Sequence, residues 1–347
     1  MWIENNIYRE DLDNISRNNN IRWDKLHNAS ILITGATGLI GKTVVDCLLY
    51  ASDKFQLNSK VIALVRNIDR AKLIYADELQ NHEIIFVEGN CESIKDITDR
   101  IDYIIHGASP TSSSFFVNYP VETIETSVIG TNHILKIGRN KNVKSVVYLS
   151  SMEVYGEIRD ERLIRENELG RLDLFNIRNC YPEAKRMCEN MCLSYFKEYK
   201  LPVNCLRLAQ TFGPGIKYND NRVFAMMARC AKEKKDIHLH TKGESKHSYL
   251  YTAQAVSAIL IALFNGHHGE IYNVANPATY CSIYEMGKLV ASNICNGEIS
   301  VVINQAGDIK QYPATSFLNL DIDKITMLGW HPEHDLRWMF DRLLLTI

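Results

Sequence analysis

The chain carries no surplus of either charge: 39 Lys and Arg stand against 41 Asp and Glu in 347 residues, a net charge of −2. Neutralising a phosphate backbone takes an excess of Lys and Arg on one face, so no nucleic-acid partner is expected. Nor does any apolar run approach the roughly 20 residues that span a bilayer. The opening Met-Trp-Ile-Glu-Asn-Asn lacks a basic stretch leading into an apolar one, so no membrane segment or secretory leader is expected and the expected location is cytoplasmic. The nine cysteines form no CxxC pair, and no Cys/His group has zinc spacing. They read as buried thiols in a reducing compartment, and no metal is expected. His267-His268 and His331-Pro332-Glu333-His334 lie in polar stretches without partners at helical spacing and read as solvated. The absence of a GxSxG elbow removes support for a serine hydrolase.

What is present is an ordinary globular composition, 46% hydrophobic and 23% charged. Residues 1–29 are polar with scattered Ile, Leu and Trp, and are expected to form a helical extension lying against the body. Apolar, β-branched runs follow at Ser30–Thr34, Val61–Val65, Ile84–Val87, Tyr103–Ile105, Val146–Leu149 and Val203–Leu208. Between them, helical spacing predicts helices from Leu39 to about Leu49, from Val121 to Ile137 and from Pro182 to Tyr199. Strands apolar throughout and alternating with helices predict an α/β fold whose parallel sheet is covered on both faces. Such sheets bind ligands at the carboxyl ends of their strands. The division expected is a dinucleotide-binding domain over 30–210 carrying the catalytic residues and a mainly substrate-binding lobe over 211–347. Ile271–Val274 is expected to return to the main sheet.

Thr34-Gly35-Ala36-Thr37-Gly38-Leu39-Ile40-Gly41 joins the first strand to the first helix. Its glycines let backbone approach a pyrophosphate, and the helix N-terminus directs N–H groups at it. Gly41 permits close helix–strand packing. At the end of the second strand stand Arg66 and Asn67, where an acid would hold the ribose hydroxyls of NAD. A carboxylate repels a 2′-phosphate and a guanidinium pairs with it, so NADP is favoured over NAD.

Tyr181-Pro182-Glu183-Ala184-Lys185 puts a phenol and an ammonium on one helical face. A phenol with a pKa of about 10 is a poor base at neutral pH, and a nearby ammonium lowers that pKa. Tyr181 would then exchange a proton with a substrate hydroxyl while a nicotinamide exchanges hydride. Ser150-Ser151-Met152-Glu153-Val154-Tyr155-Gly156, directly after the fifth strand, supplies a hydroxyl at Ser151 for the same substrate oxygen.

These motifs, with His106-Gly107-Ala108-Ser109-Pro110 and Thr211-Phe212-Gly213-Pro214-Gly215, resemble the nucleotide-sugar epimerase/dehydratase branch of the extended short-chain dehydrogenases/reductases, over about residues 30–345. The most similar motifs are those of UDP-glucuronate decarboxylases. The resemblance implies a Rossmann-like doubly wound sheet with a smaller C-terminal lobe, and a dimer built on the 121–137 and 184–196 helices. It implies that a sugar ring hydroxyl is oxidised to a ketone, with Glu153 as an acid/base beside the sugar and Lys185 on the nicotinamide ribose. It also places Asn90, Cys91 and Ala108 at the cofactor, and Ser109, Gln210, Arg222 and His247 at the nucleotide-sugar. This chain departs from the family at Arg66 and Asn90, where acids are usual, at Gln210 for Asn, and at His247 for a diphosphate-binding Arg. Lys246 and Arg222 are expected to offset the loss at 247. Two alternatives stay open: an NADPH-consuming reductase of a nucleotide-linked keto-sugar or keto-polyol, and a dinucleotide-binding regulator without chemistry.

Overall fold

The computed structural model describes residues 5–94, 96–304 and 315–347. Seven strands form one all-parallel sheet in the spatial order Glu270–Val274, Val203–Leu208, Ser145–Ser151, Tyr103–His106, Ser30–Thr34, Lys60–Val65, Ile84–Glu88. Chain order reverses between Ser30–Thr34 and Tyr103–His106, which opens a crevice beyond the carboxyl ends of those two strands. Both strands are buried along their whole length, as the unbroken apolar runs require of a sheet covered on both faces.

Helix Leu39–Phe55 leaves the crevice and runs past the expected end near Leu49. Its last turns are held from outside: Tyr50 and Lys54 both donate to Asp13 of helix Asn6–Ser16. The expected helix from Val121 to Ile137 is not continuous. It is Pro120–Ile124, a wide i→i+5 turn over Glu125–Ile129, then Gly130–Asn140. Helix Thr252–Asn265 is buried almost all round and packs against the main sheet and helix Leu39–Phe55.

The second lobe centres on Lys246–Tyr251, which pairs with Asn276–Ser282, Phe317–Leu320 and Gln210–Phe212. Leu163–Ile164 joins the edge of Phe317–Leu320, so a segment between the catalytic motifs belongs to this smaller sheet. Conversely, Glu270–Val274 pairs in parallel with Val203–Leu208 of the main sheet. No helix among the described residues is long and apolar enough to cross a membrane.

Candidate active site

The glycine turn lies in the crevice. Gly35 has φ +71°, and a Cβ there would stand 2.8 Å from the backbone of Gly107, at the end of the neighbouring strand. A Cβ on Gly41 would stand 2.1 Å from the Gly35 carbonyl oxygen, so only glycine lets the helix start this close to the turn. Gly38 caps helix Leu39–Phe55 without any side-chain hydrogen bond, and no acid occupies the first helical turn. Thr37 and Gly38 are exposed, and Leu39 and Ile40 pack partly against the core. A helix start without a side-chain cap, behind a turn whose glycines pack backbone on backbone, fits a dinucleotide's pyrophosphate.

Neighbouring strand ends are tied together here. The Ala108 amide donates to Thr34 Oγ1 at 3.0 Å, and Thr34 Oγ1 lies 2.6 Å from His106 Nδ1. His106 Nε2 lies 3.1 Å from Thr131 Oγ1, and burial lowers the imidazole to about 3, so it is neutral. Further along the crevice Arg66 and Asn67 are exposed, and Asn67 caps helix Ile68–Ile74 through the Arg70 amide at 2.7 Å. Asn90 is exposed. Cys91 is buried against Gly130, and burial pushes its thiol up to about 12.

The YxxxK pair begins helix Cys180–Tyr199 and faces the end of strand Ser145–Ser151. Tyr181 is 7% exposed, with Phe116 stacked flat on its ring at 4.2 Å between centroids. Lys185 donates to the Leu149 carbonyl at 2.7 Å, and its Nζ lies 5.8 Å from the centre of the Tyr181 ring. Ser151 Oγ accepts the Glu153 amide at 3.2 Å, and the Ser151 hydroxyl draws the Tyr181 phenol's pKa down. Ser151, Glu153, Tyr181 and Lys185 therefore come together from a strand end, the short turn Met152–Tyr155 and one helix.

Sequence reasoning missed a fifth residue. Arg178, 8% exposed, grips both Glu153 oxygens at 2.9 and 3.2 Å and donates to Ser113 Oγ at 3.0 Å. Burial pushes the Tyr181 phenol well up, and the Glu153 charge pushes it further. The Ser151 hydrogen bond and then the Arg178 charge pull it back. The Lys185 ammonium is turned to a backbone carbonyl and burial lowers it to about 8. The signal was available as an arginine three residues before the tyrosine, one turn back.

The residues expected at the substrate are placed differently. Ser109 follows the strand Tyr103–His106, and its Oγ is buried with no partner among the described residues. Gln210 lies opposite Tyr249 in the second lobe. Arg222 is held by Asp220, with nitrogen–oxygen distances of 2.7 to 3.2 Å. His247 lies 3.4 Å from Ser316 Oγ, and burial lowers it to about 4, so it is neutral. Lys246 grips Glu161 at 3.0 Å. The two cations expected to offset His247 are therefore each already paired with a carboxylate. Among the described residues, no group of three or more His, Cys, Asp or Glu side chains is placed to hold a metal ion.

Fold and site together set the chain among the dinucleotide-binding α/β enzymes. More particularly, the NAD dependent epimerase/dehydratase family matches over residues 31–275, and the chain belongs to that family. It is similar to UDP-glucuronic acid decarboxylase 1 of Xenopus tropicalis, with 27% identity over 93% of this chain and 75% of that one. It is also similar to dTDP-D-glucose 4,6-dehydratase of Dictyostelium discoideum, with 29% identity over 72% of this chain and 59% of that one. UDP-glucuronic acid 4-epimerase from Bacillus cereus, solved with UDP-glucuronic acid and NAD, shares the fold: TM-score 0.75, 19% identity, 91% of this chain and 98% of that one.

Proposed function

We propose that the enzyme transfers hydride at a ring carbon of a nucleotide-linked sugar through a keto-sugar, in the manner of the decarboxylases, epimerases and dehydratases of its family. The observation that carries this reading is the buried Tyr181 phenol, one helical turn from Lys185 and with Ser151 acting on it, at the carboxyl end of strand Ser145–Ser151. Thr34, Gly35, Gly38 and Ala108 would hold the pyrophosphate end of NAD or NADP, and the bound nicotinamide supplies the hydride acceptor and donor. Tyr181 takes the proton of the sugar hydroxyl as that carbon is oxidised and returns it on reduction. Ser151 orients the same oxygen, and the Arg178 charge offsets the cost of an anionic phenol in a buried site. Glu153, fixed by the Arg178 fork, stands as acid/base for the neighbouring position.

The test is mass spectrometry of products from UDP-, CDP-, GDP- and dTDP-linked sugars, with absorbance at the reduced nicotinamide band followed alongside. Converted sugar without net change in reduced cofactor is expected. An intact panel with cofactor still bound would overturn the reading in favour of a regulator.

A second reading, an NADPH-consuming reductase, is favoured by Arg66. It stands exposed past the end of strand Lys60–Val65, where a guanidinium can pair with a 2′-phosphate, although the Glu88 carboxylate, in register with Val65, lies close by and accepts the Ile68 amide at 3.3 Å. Titration with both dinucleotides decides the preference: tighter NADP is expected, and tighter NAD removes Arg66 from recognition. Stoichiometric NADPH loss with a keto substrate would replace the cyclic reading with the reductase.

A further inference from the structure

We propose that the N-terminal helix Asn6–Ser16 is a working part of the cofactor site, with Tyr8 and Tyr75 as positioning residues that set the phosphate turn through a buried chain of polar contacts. The inference rests on the reading of residues 34–41 as the cofactor's phosphate turn.

The chain of contacts can be followed atom by atom. The Tyr8 hydroxyl donates to Asp46 Oδ2 at 2.7 Å. Lys42 Nζ donates to both Asp46 oxygens, at 2.6 and 2.7 Å, and to Glu78 Oε1 at 2.8 Å. The same ammonium lies 4.7 Å from the centre of the Tyr75 ring, and the Tyr75 hydroxyl donates to the Ala36 carbonyl at 2.5 Å. Tyr8, Lys42, Asp46, Tyr75 and Glu78 are all buried. Lys42 belongs to the first turn of the helix that Gly38 caps, and its amide donates to the Gly38 carbonyl at 2.8 Å.

Ala36 is the residue between the first glycine of the turn and exposed Thr37. In a trans peptide the carbonyl and the next N–H point in opposite directions. Tyr75 draws the Ala36 carbonyl inward, so the Thr37 amide is turned outward, as a backbone that meets an anion requires. A buried ammonium between two carboxylates has few arrangements open to it, because each unpaired charge in the interior is costly. The Lys42 geometry therefore fixes the Tyr75 ring from one side while Tyr8 fixes Asp46 from the other. The helix itself is pinned at its next turn, where Asp11 accepts from Tyr251 and Arg342 at 2.7 Å each.

The test is cofactor binding by calorimetry in wild type, Tyr8→Phe, Tyr75→Phe and the double variant. Hydrogen exchange over residues 35–42 and thermal melts are measured in parallel. Each single variant should raise the cofactor Kd about five- to tenfold, as loss of a hydrogen bond in a charged network does. Each should also raise cofactor KM by more than it lowers kcat, and loosen exchange protection in the 35–42 turn. The double variant should bind no more weakly than the weaker single, because both hydroxyls act through one chain. Wild-type Kd and exchange in folded variants would overturn the proposal, even if the melting temperature fell. If Tyr8→Phe does not fold, Tyr75→Phe carries the test from the other end. Failure of wild type to bind either dinucleotide would instead overturn the reading of the turn itself.

Discussion

The glycine turn and the residues proposed to meet the sugar handle charge in opposite ways. Along the glycine turn, side-chain charge is held inside: Lys42 sits between the Asp46 and Glu78 carboxylates in the interior, and His106 is neutral. What is presented is backbone, an uncapped helix start and small residues. Away from that turn, charged side chains are engaged with one another: Arg222 with Asp220, Lys246 with Glu161, Arg178 with Glu153. A site made of backbone serves any dinucleotide of the family and reports the class of chemistry. A site made of paired side chains must trade partners when substrate arrives, and so carries the identity of the substrate.

The sharpest way to break the comparison is Tyr181→Phe, which keeps the stack on Phe116 and removes only the hydroxyl. Turnover should fall by about 10²–10⁴, the range of a lost general acid/base, with cofactor affinity by calorimetry unchanged. Near-normal turnover would take Tyr181 out of the mechanism. Equal loss of cofactor binding would show that the two sides are not separable.

Lys185 gives the next effect. Its buried ammonium titrates near 8 instead of 10.5. As pH rises through about 8, the charge beside Tyr181 is lost, so kcat/KM should fall on the alkaline side with an apparent pKa near that value. The stability term has the opposite sign. Between about 8 and 10.5 the unfolded chain binds the proton more tightly than the folded one, so this group's contribution to stability rises with pH. A pH–rate profile with parallel melts checks both, and a flat kcat/KM to pH 9.5 would rule out a role for the charge.

The two sides also differ in how far they could be read from sequence. The strand Val203–Leu208 and the turn 34–41 are local: an unbroken apolar run and three glycines three apart report their environment directly. YxxxK is legible because both groups ride one helix. The Glu153–Arg178 fork joins residues 25 apart, and Lys246–Glu161 joins residues 85 apart, so no spacing rule exposes them. For the same reason the helix from Leu39 was expected to end near Leu49. The groups that extend it, Tyr50 and Lys54, find their partner Asp13 in an element 37 and 41 residues away. The wide turn at Glu125–Ile129 keeps helical spacing on either side and is invisible to a periodicity argument.

The smallest expected effect tests the sugar side directly. Asp220 is held below the usual carboxylate range: burial pushes it up, but hydrogen bonds from the Arg222 side chain and amide, with the Arg222 charge, outweigh that. Arg222 is therefore a guanidinium whose fork is already occupied, and a sugar diphosphate that binds it would compete with Asp220. Asp220→Asn removes the competing charge while keeping the side chain's shape. The pair is only partly buried, so its strength is of the order of 1 kcal/mol. KM for the nucleotide-sugar should accordingly fall by about two- to fivefold, within what that energy allows, and the gain should shrink as salt is raised. Arg222→Gln should raise KM by a similar factor. If Asp220→Asn leaves KM unchanged across the salt series, Arg222 serves only the loop that carries it, and the diphosphate is met by uncharged groups such as His247, Gln210 and the Ser109 hydroxyl.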